Sequence, residues 1–495
     1  MITIGYDVGS SSLKASLYNA ATGKALAQST YPKDEMKILS PKPGWAEQEP
    51  ETWWEALKAA TCEILSSTNV KPADIKAIGI SYQMHGLVLV DKDLNVLRPS
   101  IIWCDSRAVE IGNTAFRELG EEKCLSTLLN SPGNFTASKL KWVQQNEPEL
   151  YSRIYKMMLP GDYIAMKLSG EVNTTSEGLS EGILWDFDKD TPAAFLTDYY
   201  GIDPALLPEI KPIFGCQGKL SQKASEEIGL VEGIPVTYRA GDQPNNAFSL
   251  NVLEPGEIAA TAGTSGVVYG VSGTVKYDPL NRINTFLHVN HTEQQRRLGI
   301  LLCINGTGIS NSWLRRTLFE SPVQYNVINC LAEEVEIGAN GLSFIPFGNG
   351  AERMLQNTEP GALFAGLNFN HHSRNHLMRA VLEGVAFSFF YGINIMKTLD
   401  VIPSVIRAGM ANMFLSKIFR ETIATLTNAR IQLYNTDGSL GAARGAAYGA
   451  GGYSSLREAF NGLECLSVVE PDQKKSDNYM TAYEKWLKEL QLHLK

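Results

Sequence analysis

The sequence predicts a two-domain, mixed α/β protein with a duplicated core. The chain of 495 residues is too long for one ordinary hydrophobic core. A short hairpin pattern occurs near the start and again past the midpoint. Between and after the two copies, strand-like runs alternate with helical ones, the pattern of mixed sheets covered by helices.

The first copy is Ile4-Gly5-Tyr6-Asp7-Val8-Gly9-Ser10-Ser11-Ser12-Leu13-Lys14, continuing into the strand-like Ala15-Ser16-Leu17-Tyr18. The second is Ala259-Ala260-Thr261-Ala262-Gly263-Thr264-Ser265-Gly266-Val267-Val268, continuing into Tyr269-Gly270-Val271. Each reads as strand, small-residue turn, strand. Gly9 lines up with Gly263, Ser10 with Thr264 and Ser11 with Ser265. Turns of Gly, Ser and Thr converge backbone N–H groups and hydroxyls on one point, which suits a phosphate chain. Two of them could grip one nucleotide from opposite sides of a cleft. The alternative is a pair of ordinary hairpins, because these are also common turn residues.

Between the copies, Glu49-Pro50-Glu51-Thr52 opens a helix over Trp53 to Leu65, with proline near its start and at least one of Trp53 and Trp54 in the core. Ala77-Ile78-Gly79-Ile80-Ser81 reads as a strand, and helical patterns follow at Ser138–Gln145, Tyr163–Leu168 and Ala193–Tyr200. The second half carries a long helix at Leu377–Lys397, a strand at Val405–Ala408 and a helix at Leu415–Leu426. Glu254-Pro255-Gly256 places the connection near residues 251–257, dividing the chain into 1–250 and 251–495.

Composition narrows the function classes. Hydrophobic residues make up 44% and charged ones 20%, with 44 basic against 53 acidic residues and a net charge of −9. That balance argues against nucleic acid as a partner and leaves room for a small anionic ligand held by backbone amides and metal. The seven cysteines are scattered without a C-x-x-C pair, so neither a disulfide framework nor a zinc site is expected. Met1 runs directly into a strand, and no apolar run approaches the roughly 20 residues that span a bilayer, so the expected compartment is the cytoplasm. P-loop, G-x-G-x-x-G and H-E-x-x-H motifs are absent. Gly178-Leu179-Ser180-Glu181-Gly182 matches G-x-S-x-G, yet the polar Asn173–Glu177 before it is no apolar strand, which makes it a chance match.

Four strings stand in order along nearly the whole chain: Trp45-Ala46-Glu47-Gln48-Glu49-Pro50, Ile101-Ile102-Trp103-Cys104-Asp105-Ser106-Arg107, Phe135-Thr136-Ala137-Ser138-Lys139-Leu140-Lys141-Trp142-Val143 and Ala240-Gly241-Asp242-Gln243-Pro244-Asn245. Together they resemble the FGGY family of carbohydrate kinases. The stretch from Ala362 to Glu383 fits the family's second signature, whereas Asn134 departs from the first. The resemblance implies the actin-like (ribonuclease H-like) ATPase fold, with sugar bound on the N-terminal side and ATP and Mg2+ on the C-terminal side. Gln83-Met84-His85-Gly86 is similar to xylulokinases, which implies phosphorylation of a ketopentose, D-xylulose first.

By this resemblance Asp242 is the general base, Asp7 orients Mg2+ or its waters, and Met84, His85 and Asp105 contact the sugar. Ser10, Ser11, Gly263, Thr264 and Ser265 contact phosphates, Gly409 and Asn412 lie by the adenosine, and the assembly is a homodimer. Imidazole can both donate and accept hydrogen bonds, as adjacent sugar hydroxyls require, and Asp105 can alternatively cap a helix. Two strings depart from the family, Ala408-Gly409-Met410-Ala411-Asn412-Met413 and Gly350-Ala351-Glu352-Arg353-Met354; both are expected toward the nucleotide and away from the sugar. Other readings are a kinase for ribulose, gluconate or glycerol, an actin-like ATPase with a protein partner, and a sugar-sensing regulator without catalysis.

Overall fold

The computed structural model describes every residue except Pro322 and Lys495. Two sheets organise it. The first contains β1 (Ile2–Val8), β2 (Leu13–Asn19), β3 (Lys24–Tyr31), β4 (Ile75–Tyr82) and β5 (Val236–Gly241), in the spatial order β5-β4-β1-β2-β3. The second contains β6 (Glu257–Ala262), β7 (Gly266–Ser272), β8 (Asn284–Leu287), β9 (Leu298–Ile304), β10 (Val405–Gly409), β11 (Arg430–Tyr434) and β12 (Cys465–Val469), in the order β8-β9-β7-β6-β10-β11-β12.

The repeat seen in the hairpins extends through both sheets. β1 pairs antiparallel with β2 and parallel with β4, and β4 pairs parallel with β5. In the same way β6 pairs antiparallel with β7 and parallel with β10, and β10 pairs parallel with β11. The third strand of each meander, β3 or β9, pairs antiparallel with the second. β8 and β12 are additions at the two edges of the second sheet. The two turns differ by one residue: Val8 faces Leu13 across the first, and Ala262 faces Gly266 across the second.

Apolar patterning explains the packing. In α1 (Pro50–Ser66), Trp53, Trp54, Leu57, Ala60 and Ile64 form a buried stripe at helical spacing against the first sheet, so both tryptophans are core. The helix Arg374–Lys397 is buried along most of its length in the core beside the second sheet. A third cluster joins the halves, with Met84, Leu87 and Ile101 in one network with Tyr269, Phe286 and Leu301.

One helix of the second half returns to the first sheet. It spans Gly438–Gly449 and packs on β1, β4 and β5 through Gly and Ala. Gly5 and Gly79 face each other across β1 and β4 and form the groove that receives it. A Cβ on Gly5 would lie 2.2 Å from the Ala443 amide nitrogen, and one on Gly79 would lie 2.0 Å from the Ala442 carbonyl oxygen. This close approach is the reason for glycine at both places. Ser180, the centre of the G-x-S-x-G match, lies in the short helix Ser176–Glu181, buried and bonded to the Glu177 carbonyl.

Candidate active site

Three parallel strands, β5, β4 and β1, end at one edge of the first sheet and release their polar residues there, where α/β folds present ligand groups. Asp7 lies opposite Ser81 across β1 and β4, and Tyr82 lies opposite Gly241 across β4 and β5. Ser81 Oγ donates to Asp7 Oδ1 at 2.8 Å. Asp242 follows as the first residue of the helix Asp242–Ser249, with Gly241 at the N-cap and no side-chain cap bond. The helix therefore starts three residues earlier than the sequence pattern from Asn245 indicates, and the Asp242 carboxylate is not its cap.

Electrostatics tie these acids together. Burial, then the neighbouring Asp7 charge, pushes Asp242 up to about 7. Burial also raises Asp7, while Ser81 and Lys14 oppose the shift. Behind Gly241 stand Glu177 and Glu181, both without solvent exposure. A Cβ on Gly241 would meet Glu181 Oε2 at 2.8 Å and Glu177 Oε1 at 3.3 Å. Burial and their shared neighbourhood raise both glutamates, so they favour their protonated forms, and Asp242 is the acid poised to ionise near neutrality.

His85 sits three residues beyond β4 with φ 60°, a left-handed conformation that side-chain-bearing residues seldom adopt. Its Nδ1 lies 2.9 Å from the Glu181 carbonyl oxygen, and its ring packs edge-on to Phe135 and tilted against Phe286. Burial, with Lys139 adding to it, lowers His85 to about 3, so the ring is neutral. Donating from Nδ1 leaves Nε2 as an acceptor. Met84 is buried beside Gly241.

Asp105 does not join this group. It has no exposed surface, and its oxygens accept from the Ala46 and Arg107 amides and from the Arg107 guanidinium, at 2.6–3.0 Å. With its lone pairs taken it can accept no sugar hydroxyl, which corrects the sugar contact expected of it. Nor does it cap a helix, since the next one, Val109–Leu119, has Ala108 at its N-cap. Trp103, two residues before Asp105, is exposed, and its Nε1 donates to Ser10 Oγ at 3.3 Å.

Arg353 is a second correction. It was expected on the nucleotide side, yet its charge lowers His85, and its Nη2 donates to Asn281 Oδ1 at 2.6 Å. Asn281 in turn donates to Ser131 Oγ in the first half at 3.0 Å. Desolvation pushes the nearby Cys303 thiol up to about 11, and the Glu352 and Asp242 carboxylates push the same way. Phe286 of the second half thus packs on His85, and Arg353 and Cys303 lie near His85 and Asp242.

The nucleotide candidates divide. Gly263, Thr264 and Asn412 line one cavity of ≈ 520 Å³ together with Gly308, Ile309, Tyr325 and Met413. Ser10 and Ser11 lie in the turn after β1, Ser265 is exposed in the turn before β7, and Gly409 ends β10 with open space where a Cβ would stand. Gly308 begins the helix Gly308–Leu318, and its amide donates to the Gly263 carbonyl at 2.8 Å while that of Ile309 donates to Thr264 at 3.1 Å. A Cβ on Gly308 would lie 2.3 Å from the Gly263 carbonyl oxygen. If this cavity takes the ATP that the family resemblance implies, Gly308→Val is expected to displace that turn and raise the KM for ATP about tenfold, about 1.4 kcal/mol, with the KM for the second substrate unchanged; initial rates with each substrate varied in turn check it.

Sequence reasoning missed Ser81, Gly308 and Gly438, and it misplaced Arg353. The strand–glycine–helix step at Ile304–Gly308 repeats a phosphate-site signal and was legible. The Gly and Ala content of 438–449 pointed to close helix packing but not to the partner.

Comparison with known proteins decides the family. The N-terminal domain profile of the FGGY family of carbohydrate kinases matches residues 2–249, and the C-terminal domain profile of the same family matches residues 258–450. The chain belongs to the FGGY family of carbohydrate kinases. A xylulose kinase of Bacillus subtilis (strain 168) is 28% identical over 490 residues, covering 97% of this chain and 95% of that protein. The crystal structure of xylulose kinase from Rhodospirillum rubrum superposes with a TM-score of 0.88 at 26% identity, covering 99% of both chains. A gluconate kinase structure from Lactobacillus acidophilus reaches a TM-score of 0.90 at 22% identity, over 100% of this chain and 98% of that one, a likeness of fold. The duplicated sheets are thus the architecture of this family, and this FGGY kinase takes a sugar and ATP as its substrates. None of its helices, among the described residues, is long and apolar enough to cross a membrane.

Proposed function

We propose that the protein transfers the γ-phosphoryl group of ATP to the terminal hydroxyl of a ketopentose, D-xylulose giving D-xylulose 5-phosphate, with Asp242 as general base. The observation that carries this reading is a carboxylate raised to about 7, at the edge where three parallel strands end, near Cys303 of the second half. The division of labour is 1–250 for the sugar and 251–495 for the nucleotide, with the helix Gly438–Gly449 and Arg353 reaching across it.

His85 presents Nε2 to a sugar hydroxyl while the Glu181 carbonyl fixes its tautomer. Asp242 accepts the proton of the attacking hydroxyl as the new oxygen–phosphorus bond forms and the bond to the β-phosphate oxygen breaks. The turns at Gly9–Ser11 and Gly263–Ser265 hold the phosphate chain by amides and hydroxyls, and Asn412 borders the adenosine. Asp7 and Asp242 fit a hard divalent cation: both are oxygen donors, both lie at one edge, and burial raises both, with the Asp7 charge adding to the rise at Asp242 and the Asp437 charge to that at Asp7. When bound, Mg2+ neutralises phosphate charge. Asp7, fixed by Ser81, would hold it or its waters. No cluster of three acidic, histidine or cysteine ligands exists among the described residues, which agrees with an ion that keeps waters and phosphates as partners.

A base must be deprotonated to work, so kcat/KM for the sugar should rise with pH and level off above about 7. A flat profile between pH 5.5 and 8.5 contradicts the assignment. Substrate identity is tested by ADP release across D-xylulose, D-ribulose, gluconate and glycerol, with the phosphorylated position read by phosphorus NMR. The highest kcat/KM is expected for D-xylulose; a preference for gluconate or glycerol removes the pentulose reading.

A further inference from the structure

Lys139 has no solvent exposure, and its Nζ donates to the carbonyl oxygens of His85 at 2.8 Å and Ile102 at 2.9 Å. Burying an ammonium costs several kcal/mol unless its hydrogen bonds are made well. Asp105 provides the main charge that favours the ammonium, but its oxygens are already engaged by Ala46 and Arg107. Burial pulls Lys139 down to about 7, and in either protonation state Nζ keeps the two N–H bonds that the carbonyls need.

The two carbonyls are not arbitrary. One belongs to His85 itself, held at φ 60°, a strained conformation for a non-glycine residue that persists only if its surroundings enforce it. The other immediately precedes Trp103, whose indole reaches Ser10 of the first turn. The same end of the helix Thr136–Asn146 makes two further ties: Thr136 Oγ1 donates to the Gly86 carbonyl at 3.3 Å, and the Ala137 amide donates to the Gly182 carbonyl at 3.1 Å. Gly182 follows Glu181, whose own carbonyl receives His85 Nδ1. One helix end therefore meets the His85 segment, the Trp103 segment and the support of the imidazole.

We infer that Lys139 is a positioning residue that locks the His85 and Trp103 segments to each other and so sets the geometry of the sugar end of the cleft. This rests on the sugar-kinase reading of His85. A displacement of about 1 Å in such a group can change rates about 10²-fold, and the nucleotide cavity, lined by the second half alone, is outside its reach.

Lys139→Met and Lys139→Gln test it, the second keeping N–H donors on a shorter arm if the first does not fold. The KM for sugar is expected to rise about 10- to 100-fold in Lys139→Met and less in Lys139→Gln, with the KM for ATP within about twofold of the parent. Amide hydrogen exchange, read without any sugar, should accelerate at residues 84–87 and 101–105 in every variant that folds. Unchanged exchange at both segments, or an equal rise in both KM values, overturns the inference. A parent protein that responds to no sugar while its variants lose protection sinks the substrate reading and leaves the positioning role standing.

Discussion

Asp242→Asn should lower sugar-stimulated kcat by about 10²–10⁴ while leaving the KM for ATP close to the parent value. Asparagine keeps the shape at the first position of its helix but cannot take the hydroxyl proton. The same variant should be more heat-stable, and the sign follows from burial. In the folded protein Asp242 is raised to about 7, well above the roughly 3.9 of an unfolded aspartate. The native state therefore binds the proton more tightly, and stability falls as pH rises from about 4 through 7. Above that window the folded chain carries the full penalty of a partly buried charge next to Asp7. Removing the charge relieves it, so the gain in Tm should be larger at pH 8 than at pH 4. Calorimetry at both values checks this, and a gain independent of pH would mean that the carboxylate is not strained.

Gly438→Ala should also cut activity by at least about tenfold without unfolding the protein. A Cβ at this position would lie 2.4 Å from Asp7 Oδ2 and 2.6 Å from its Cγ, closer than real side chains stand. The obstacle is a short side chain and not backbone, so relief comes by swinging the Asp7 carboxylate off Ser81 Oγ. Activity should then require more Mg2+ to saturate, and far-UV circular dichroism should be unchanged. Substitution of Gly79 by Val differs in kind: there the obstacle is the Ala442 carbonyl, and the helix Gly438–Gly449 must leave the sheet. Normal kinetics for Gly438→Ala at every Mg2+ concentration would disconnect Asp7 from the reaction.

Much of the architecture was legible because it is local. Alternation and helical spacing located β1, β4, α1 and the helix that fills the second core, and the doubled hairpin announced a duplication that the strand order extends to five strands in each sheet. What failed is what depends on distant contacts. Asp105 looks like a strand-end ligand until Arg107, two residues on, folds back onto it. Arg353 lies among second-half residues in sequence, yet Asn281 and Ser131 tie it to the first half, near His85. Gly438 shows its role only against Asp7, near the other end of the chain, and Lys139 stood inside a family signature that gave no reason for it. Linear order states which residues are available and not which loops cross the cleft.

ADP release with and without D-xylulose, run side by side on the parent and on Asp242→Asn, bears most directly on a carboxylate that draws the proton from a bound alcohol. The sugar should stimulate the parent strongly and the variant hardly at all. Equal stimulation of the two proteins, or a parent rate indifferent to sugar, would contradict the account.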